Sequence, residues 1–146
     1  MKLLSLSICT LVISLCATSA SARDDIADYS IADALASEQA KNILGSEIKF
    51  YFGDQPHATV TKNFSEFSTS KKTNGTNKSD KEACEWVFLT VLKDLRDQAK
   101  SVGANAVVNI RSNYRNALSS SATTFKCGSG MLMSGVALKG EIVTIE

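Results

Sequence analysis

The stretch between Ser79 and Gly103 constrains the fold most, because it has the periodicity of an amphipathic helix. Ser79 and Glu82 form a Ser-x-x-Glu capping box in front of an apolar run. Apolar residues recur at helical spacing along one stripe: Cys84, Phe88, Val91, Leu92, Leu95, Ala99 and Val102. Gly103 stands where a helix is expected to end. A helix with one apolar face has to pack on another layer, so we expect a helix over about 80–102 that lies on a sheet.

Other segments have the two-residue alternation of strands. Residues 48–52 and 58–69 precede the long helix, and we expect them to form a hairpin, followed by a polar loop at 71–78. Further strands are expected at 105–114, 123–126, 131–138 and 142–145, with a turn at 128–130 and a bend at Gly140. The predicted fold class is therefore α+β, with a mostly antiparallel sheet packed on one long helix.

Two local patterns add detail to this prediction. Ile26, Tyr29, Ile31 and Leu35 indicate an extended segment, which should lead into a short helix capped by Ser37 and ended by Gly45. In the segment 105–114, alternation would place Ala106, Val108 and Ile110 on one face.

Residues 1–22 have the pattern of a cleaved secretory signal peptide. Lys2 precedes an uncharged apolar run, and Ala20-Ser21-Ala22 is a small-x-small cleavage sequence. The run is shorter than the roughly 20 residues that a membrane span needs. We expect cleavage between Ala22 and Arg23, a periplasmic or secreted location, no membrane span in the mature form, and a single domain over 23–146.

The charges of the mature chain balance. Lys2 is the one charged residue of the leader, which leaves 15 basic and 15 acidic residues from the 16 and 15 of the whole sequence. A nucleic-acid or anionic-membrane binder usually carries a basic excess. We therefore expect no nucleic-acid partner.

Two of the four cysteines, Cys9 and Cys16, lie in the predicted leader. Cys84 and Cys127 remain, and an even number in an exported chain indicates a disulfide. Two unpaired buried thiols are the alternative. A further alternative is a reactive Cys84, because the first turn of a helix lowers the pKa of a thiol.

Candidate catalytic and metal-binding residues are few. The one histidine, His57, follows Pro56 in a turn, and no G-x-S-x-G or phosphate-binding loop occurs in the sequence. A zinc site needs about four Cys, His or carboxylate ligands. The acidic cluster of Asp24, Asp25 and Asp28 could hold a cation or simply be solvated. We predict no catalytic residue, no cofactor and no metal site.

Four segments together resemble a group of small exported proteobacterial proteins often labelled "excinuclease ATPase subunit": 49–53, 77–86, 103–110 and 127–140. More distantly, the long helix followed by Gly-Ala-Asn-Ala-Val-Val is similar to the YbjQ-like fold, described as heavy-metal binding, and to the Rcs-pathway outer-membrane stress-sensor lipoproteins. The sensor resemblance implies a bridge between a helix cysteine and a later strand, at positions that match Cys84 and Cys127. The chain lacks that family's lipid-attachment cysteine and its second bridge.

Three functional hypotheses follow. The favoured one is a non-enzymatic binding or envelope-associated module, stabilised by a disulfide and possessing an unknown partner that could be an envelope protein. The second is a periplasmic metal or small-ligand binding protein, and the third is an unrecognised enzyme. One exposed apolar patch would favour the first, and a convergent pocket of Asp, Glu or His would favour the others.

Overall fold

The computed structural model describes residues 22–146, so the predicted leader lies outside the described residues except for Ala22. The described part contains six strands: β1 (Asp25–Ser30), β2 (Lys49–Phe52), β3 (Val60–Asn74), β4 (Ala106–Ser112), β5 (Thr124–Ser129) and β6 (Met133–Ile145). It also contains three α-helices, α1 (Ile31–Ala36), α2 (Glu38–Leu44) and α3 (Asp80–Ser101), and a 3-10 turn at Tyr114–Asn116.

α3 confirms the helix that the capping box and the apolar stripe predict. The Ser79 hydroxyl accepts a hydrogen bond from the Glu82 backbone N–H at 3.1 Å, which satisfies a free donor of the first turn. The stripe from Cys84 to Ala99 is buried. Val102 lies beyond the last helical residue and is exposed, so the buried stripe ends one turn earlier than its spacing suggests.

The sheet is built around β6. β3 pairs with one edge of β6 along its length, while β5 and β4 share the other edge, β5 beside the start of β6 and β4 beside its later part. β1 continues the sheet beyond β5 and β2 continues it beyond β4. Each pairing is antiparallel except β2 with β4. This arrangement confirms the predicted α+β class.

The predicted hairpin between 48–52 and 58–69 is wrong. β2 pairs in parallel with β4, where Lys49 lies opposite Ala106, and β3 pairs with β6 instead. Alternation identifies a strand but not its partner, and the long β6 provides the longer ladder. The loop expected at 71–78 begins later, because β3 continues to Asn74. A strand whose outward face meets solvent can be polar without leaving the sheet.

Two local predictions are confirmed only in part. Ile26 and Tyr29 lie in the extended β1, and Ala106 and Val108 share one face, but the remaining residues of each pattern differ. The segment Ile31–Ala36 is helical, because the Ser30 hydroxyl caps it by accepting from the Asp33 N–H at 3.1 Å. In β4, Asn109 has a positive φ of 50° and the register with β6 shifts after Val108. This bulge turns Ile110 to the opposite face from Val108.

The structure does not have the predicted turn at 128–130 or the predicted bend at Gly140. β5 continues through Ser129, and β6 passes through Gly140 without ending. A Cβ at Gly140 would lie 2.7 Å from Val107 Cγ1. Glycine at this position therefore permits close packing against β4 rather than a change of direction.

The core lies between α3 and one face of the sheet, which we call the inner face. The Phe88 ring of α3 stacks on Phe125 of β5 with 4.0 Å between centroids, and Phe52 of β2 packs beside it. The predicted cap at Ser37 and stop at Gly45 are confirmed in α2, which also packs against this core. The opposite, outer face carries a smaller apolar cluster around Val143 and otherwise polar residues.

Candidate functional site

Cys84 and Cys127 form a disulfide, as predicted. Their Cα atoms are 5.9 Å apart, and both residues are fully buried. The bridge joins the second turn of α3 to β5. Cys84 Sγ lies 3.4 Å from Ser129 Oγ, which in turn lies 3.2 Å from Ser134 Oγ. A bond that fixes the helix start to the sheet is structural, and it removes the thiol on which a reactive Cys84 would depend.

The other sequence candidates do not converge. The three N-terminal carboxylates pair with separate cations, Asp24 with Arg115, Asp25 with Arg23 and Asp28 with Lys126. His57 is exposed, and its Nδ1 lies 2.8 Å from the Ala58 carbonyl oxygen. Among residues 22–146, no three His, Cys, Asp or Glu side chains are grouped to hold a metal ion.

The outer face instead carries an open groove of about 590 Å³. Its floor is formed by Gly135 and Ala137 of β6. One wall is β3, which contributes Ser68, Ser70 and Lys72, and the other wall is the segment from Asn113 to Asn116 after β4. The volume falls within the range of roughly 300–1,000 Å³ typical of ligand pockets.

Glycines in the sheet make room for the aromatic side of this groove. A Cβ at Gly128 would lie 2.0 Å from the Tyr114 hydroxyl oxygen, so the Tyr114 side chain occupies the space above that glycine. A Cβ at Gly135 would lie 3.7 Å from Tyr114 Cε2 and 3.3 Å from Lys72 Cγ. Tyr114 and the Lys72 stem therefore approach the same bare stretch of backbone from two sides.

The wall that follows Tyr114 has an unusual backbone. Arg115 and Asn116 have positive φ values of 53° and 61°. A left-handed conformation costs an ordinary residue roughly 1–2 kcal/mol, and asparagine tolerates it best. The Arg115 side chain also makes two contacts: its guanidinium lies 5.6 Å from the centre of the Tyr114 ring, and it pairs with Asp24. Such strain is concentrated at functional positions in many proteins.

The charges around the groove are mostly positive. Lys71 pairs with Asp94 of α3 at 2.9 Å and points to the inner side, whereas Lys72 forms no ion pair with any residue of 22–146. Farther along the outer face, Glu66 pairs with Arg111 and Lys139, both at 2.6 Å. The hydrogen bond from Lys139 is the main cause that lowers the pKa of Glu66, and burial opposes it.

The turn between β5 and β6 carries a second candidate surface. Its residues Met131, Leu132 and Met133, which we call the hairpin tip, are 79%, 65% and 46% exposed. The backbone of the tip is well anchored, because the Gly75 N–H donates to the Leu132 carbonyl at 2.8 Å and the Gly130 N–H donates to the Met133 carbonyl at 2.8 Å. Three consecutive exposed apolar residues on a fixed backbone are unusual unless they serve a function.

The positive charge of Arg23, at the base of the hairpin tip, is compensated. The Arg23 carbonyl oxygen would lie 3.2 Å from a Cβ at Gly130, which places Arg23 beside the turn. Its guanidinium pairs with Asp25 and with Asp80 at the start of α3. These hydrogen bonds raise the pKa of Arg23, and the hydrogen bond to Asp80 has the largest effect. Arg23 is therefore neutralised, whereas Lys72 and Lys78 beside the tip form no ion pair within residues 22–146.

Sequence reasoning did not find either surface. The pattern predicts a polar loop at Lys72, because alternation does not show that β3 extends to Asn74 beside β6. It also predicts a strand as far as Tyr114, whereas β4 ends at Ser112 and Tyr114 begins a 3-10 turn. The three apolar residues of the hairpin tip have a pattern that predicts part of a strand. The one available signal was the polar outward positions of β3, Ser68, Ser70 and Lys72, which alternate at a spacing of two.

Comparison of the chain with protein-family models, with curated proteins and with solved structures finds no match. Within the part of the chain that is described, no helix is both long and apolar enough to cross a membrane.

Proposed function

We propose that this protein is an exported, non-enzymatic module of the cell envelope, periplasmic or secreted, that docks to a protein partner through the hairpin tip. The observation that carries the proposal is the exposure of Met131, Leu132 and Met133 on an anchored turn. The buried disulfide supports an oxidising compartment, where such bonds persist. The signal-peptide pattern of residues 1–22 also supports export.

The size of the hairpin tip suggests how it would bind. A standard interface buries about 800 Å² on each partner, which is more than three side chains can supply. The tip would therefore act as an apolar anchor that inserts into a groove of the partner, with neighbouring polar residues at the rim. Methionine suits this role, because its unbranched side chain adapts to the surface that it meets.

The balanced charge of residues 23–146, 15 basic and 15 acidic, favours a protein groove over an anionic lipid surface. Binding to anionic lipid is usually assisted by unpaired basic residues around the apolar anchor. At the base of the tip, Arg23 is paired with Asp25 and Asp80. Lys72 and Lys78 lie near the tip and form no ion pair within residues 22–146. Two unpaired lysines are fewer than the roughly 4–8 clustered basic residues typical of binding to anionic lipid, so a groove of a protein is the better match.

Site-specific crosslinking in the native envelope tests this proposal. A photo-crosslinking amino acid at position 132 should yield one defined protein adduct, whereas the same group at Leu118, an exposed apolar residue of another loop, should not. The partner is then purified, and its affinity is measured for the parent and for the Met131→Ser/Leu132→Ser/Met133→Ser variant. We expect at least a tenfold loss of affinity for the triple variant and no change for Leu118→Ser. Adducts with lipid alone, or equal affinity of the parent and the triple variant, would refute the proposal.

A further inference from the structure

We propose that the outer-face groove is a binding site for a small acidic sugar, meaning a sugar ring that carries a phosphate or a carboxylate group. This site is separate from the hairpin tip, and the inference does not rest on the docking role. It rests on the charge, the hydrogen-bonding groups and the size of the groove.

The charge of the groove selects for an anion. The residues that line it include Lys72, Arg115 and Lys71, whose ammonium points to the inner side, and no carboxylate. Lys71 is neutralised by Asp94, and Arg115 is partly neutralised by Asp24. Lys72 forms no ion pair within residues 22–146, so its ammonium is the group available to a ligand. An ammonium placed beside a phosphate or carboxylate forms a charge-assisted hydrogen bond.

The remaining groups suit a polyhydroxylated body. The hydroxyls of Ser68 and Ser70 stand on one wall and the amides of Asn113 and Asn116 on the other, and each can both donate and accept. Asn113 Nδ2 already donates across the groove to Ser68 Oγ at a long 3.3 Å, a bond that a ligand hydroxyl could replace. Sugar hydroxyls, which also donate and accept, match this set.

The construction of the floor leaves room for a ring. Gly135 and Ala137 present almost no side chain, and the Lys72 stem and Tyr114 flank them. The arginine that lies over Tyr114 is held in a left-handed backbone conformation. About 590 Å³ of open space accommodates one sugar ring with its acidic group.

Titration of isotope-labelled protein with glucose 6-phosphate and with glucuronate tests the site, with glucose and inorganic phosphate as reference ligands. We expect saturable one-to-one binding of at least one acidic sugar, with amide shifts confined to 68–72, 113–116 and 135–137. Glucose and phosphate should bind at least tenfold more weakly than that acidic sugar. The affinity should fall as the salt concentration rises, because the attraction is electrostatic.

Substitution of the free lysine sharpens the test. Lys72→Gln should weaken binding of the acidic sugar at least tenfold, whereas Lys62→Gln on the same strand should leave the affinity unchanged. Lys72→Gln should also leave the affinity of the hairpin tip for its protein partner unchanged, so the two proposals can fail separately. No binding of either acidic sugar at millimolar concentration, equal binding of glucose or of phosphate, or full affinity in Lys72→Gln would overturn the proposal.

Discussion

The two faces of β6 differ sharply although they belong to the same strand. Val136, Leu138 and Ile142 point to the inner face and are buried against the core that α3 covers. Gly135 and Ala137 point to the outer face and form the floor of the polar groove. The comparison shows that successive residues of one strand can contribute to two different parts of the molecule, the core and a surface groove. The inner face contributes to the core that stabilises the domain, and the outer face carries the groove in which we propose that a ligand binds.

Removal of a core aromatic should have the largest effect on stability. Phe88 is fully buried and stacks on Phe125 at 4.0 Å between ring centroids. Phe88→Ala removes that packing and leaves a cavity, so we expect a loss of about 3–5 kcal/mol in the free energy of unfolding. Urea unfolding of the variant measures this loss. A loss below about 1 kcal/mol would mean that the inner face is not the main source of stability.

Loss of the disulfide should come next. Cys84 and Cys127 are separated by 43 residues, and the chain-entropy model gives roughly 4 kcal/mol for closing such a loop, as an upper figure. That is a large share of the 5–15 kcal/mol that stabilises a typical domain, with about 2–4 kcal/mol the usual range for one bridge. Reduction, or the Cys84→Ser/Cys127→Ser variant, should therefore lower the melting temperature strongly. A double variant as stable as the parent would show that α3 needs no covalent attachment to the sheet.

Addition of one methyl group beneath the outer-face groove should cost less than either change on the inner face. Gly128→Ala places a Cβ 2.0 Å from the present position of the Tyr114 hydroxyl oxygen, so the ring has to move. Gly128 is buried, but the Tyr114 side chain is partly exposed and can turn away, so we expect a loss of about 1–2 kcal/mol, at the low end for overpacking. The shape of the groove should nevertheless change, and acidic-sugar binding should weaken. Unfolding and ligand titration of the same variant measure both effects, and a loss above about 2 kcal/mol would contradict the contrast between the faces.

The ion pairs of the outer face should have a smaller, pH-dependent effect. Lys139 and Arg111 lower the pKa of Glu66 below its ordinary value of 4.5. Because the folded pKa lies below the unfolded one, the stabilisation is present above about pH 4.5 and is lost as the pH falls through the folded pKa. The stability difference between the parent and Glu66→Gln should therefore shrink on acidification, and NMR titration should find a higher Glu66 pKa in Lys139→Met. An unchanged pKa would show that the pairing is not maintained in solution.

The fold could be predicted from local patterns more reliably than from pairing. The capping box and the stripe on α3 define a helix without any knowledge of its neighbours, and the two remaining cysteines allow one bridge. The partner of β2 could not be predicted from local alternation. Its parallel pairing with β4 depends on the long crossover connection through β3 and α3. The inward turn of Ile110 depends on the single left-handed residue Asn109, which a hydrophobic pattern does not reveal.

The candidate sites were harder to predict than the fold, for the same reason. The groove forms only when β3 and the segment after β4 stand on opposite sides of β6. The hairpin tip has the composition of a buried strand, and only the position of the turn exposes it. The roles that we propose for Lys72 and Leu132 therefore depend on topology rather than on any local motif.

The hairpin tip provides the most direct test of the central claim, that apolar surface outside the core serves binding rather than folding. We would measure urea unfolding of the Met131→Ser/Leu132→Ser/Met133→Ser variant beside the parent. The account predicts a free energy of unfolding within about 0.5 kcal/mol of the parent, as expected for exposed positions. A loss of more than about 2 kcal/mol would show that these side chains pack within the domain, and it would contradict the assignment of the tip as a docking element.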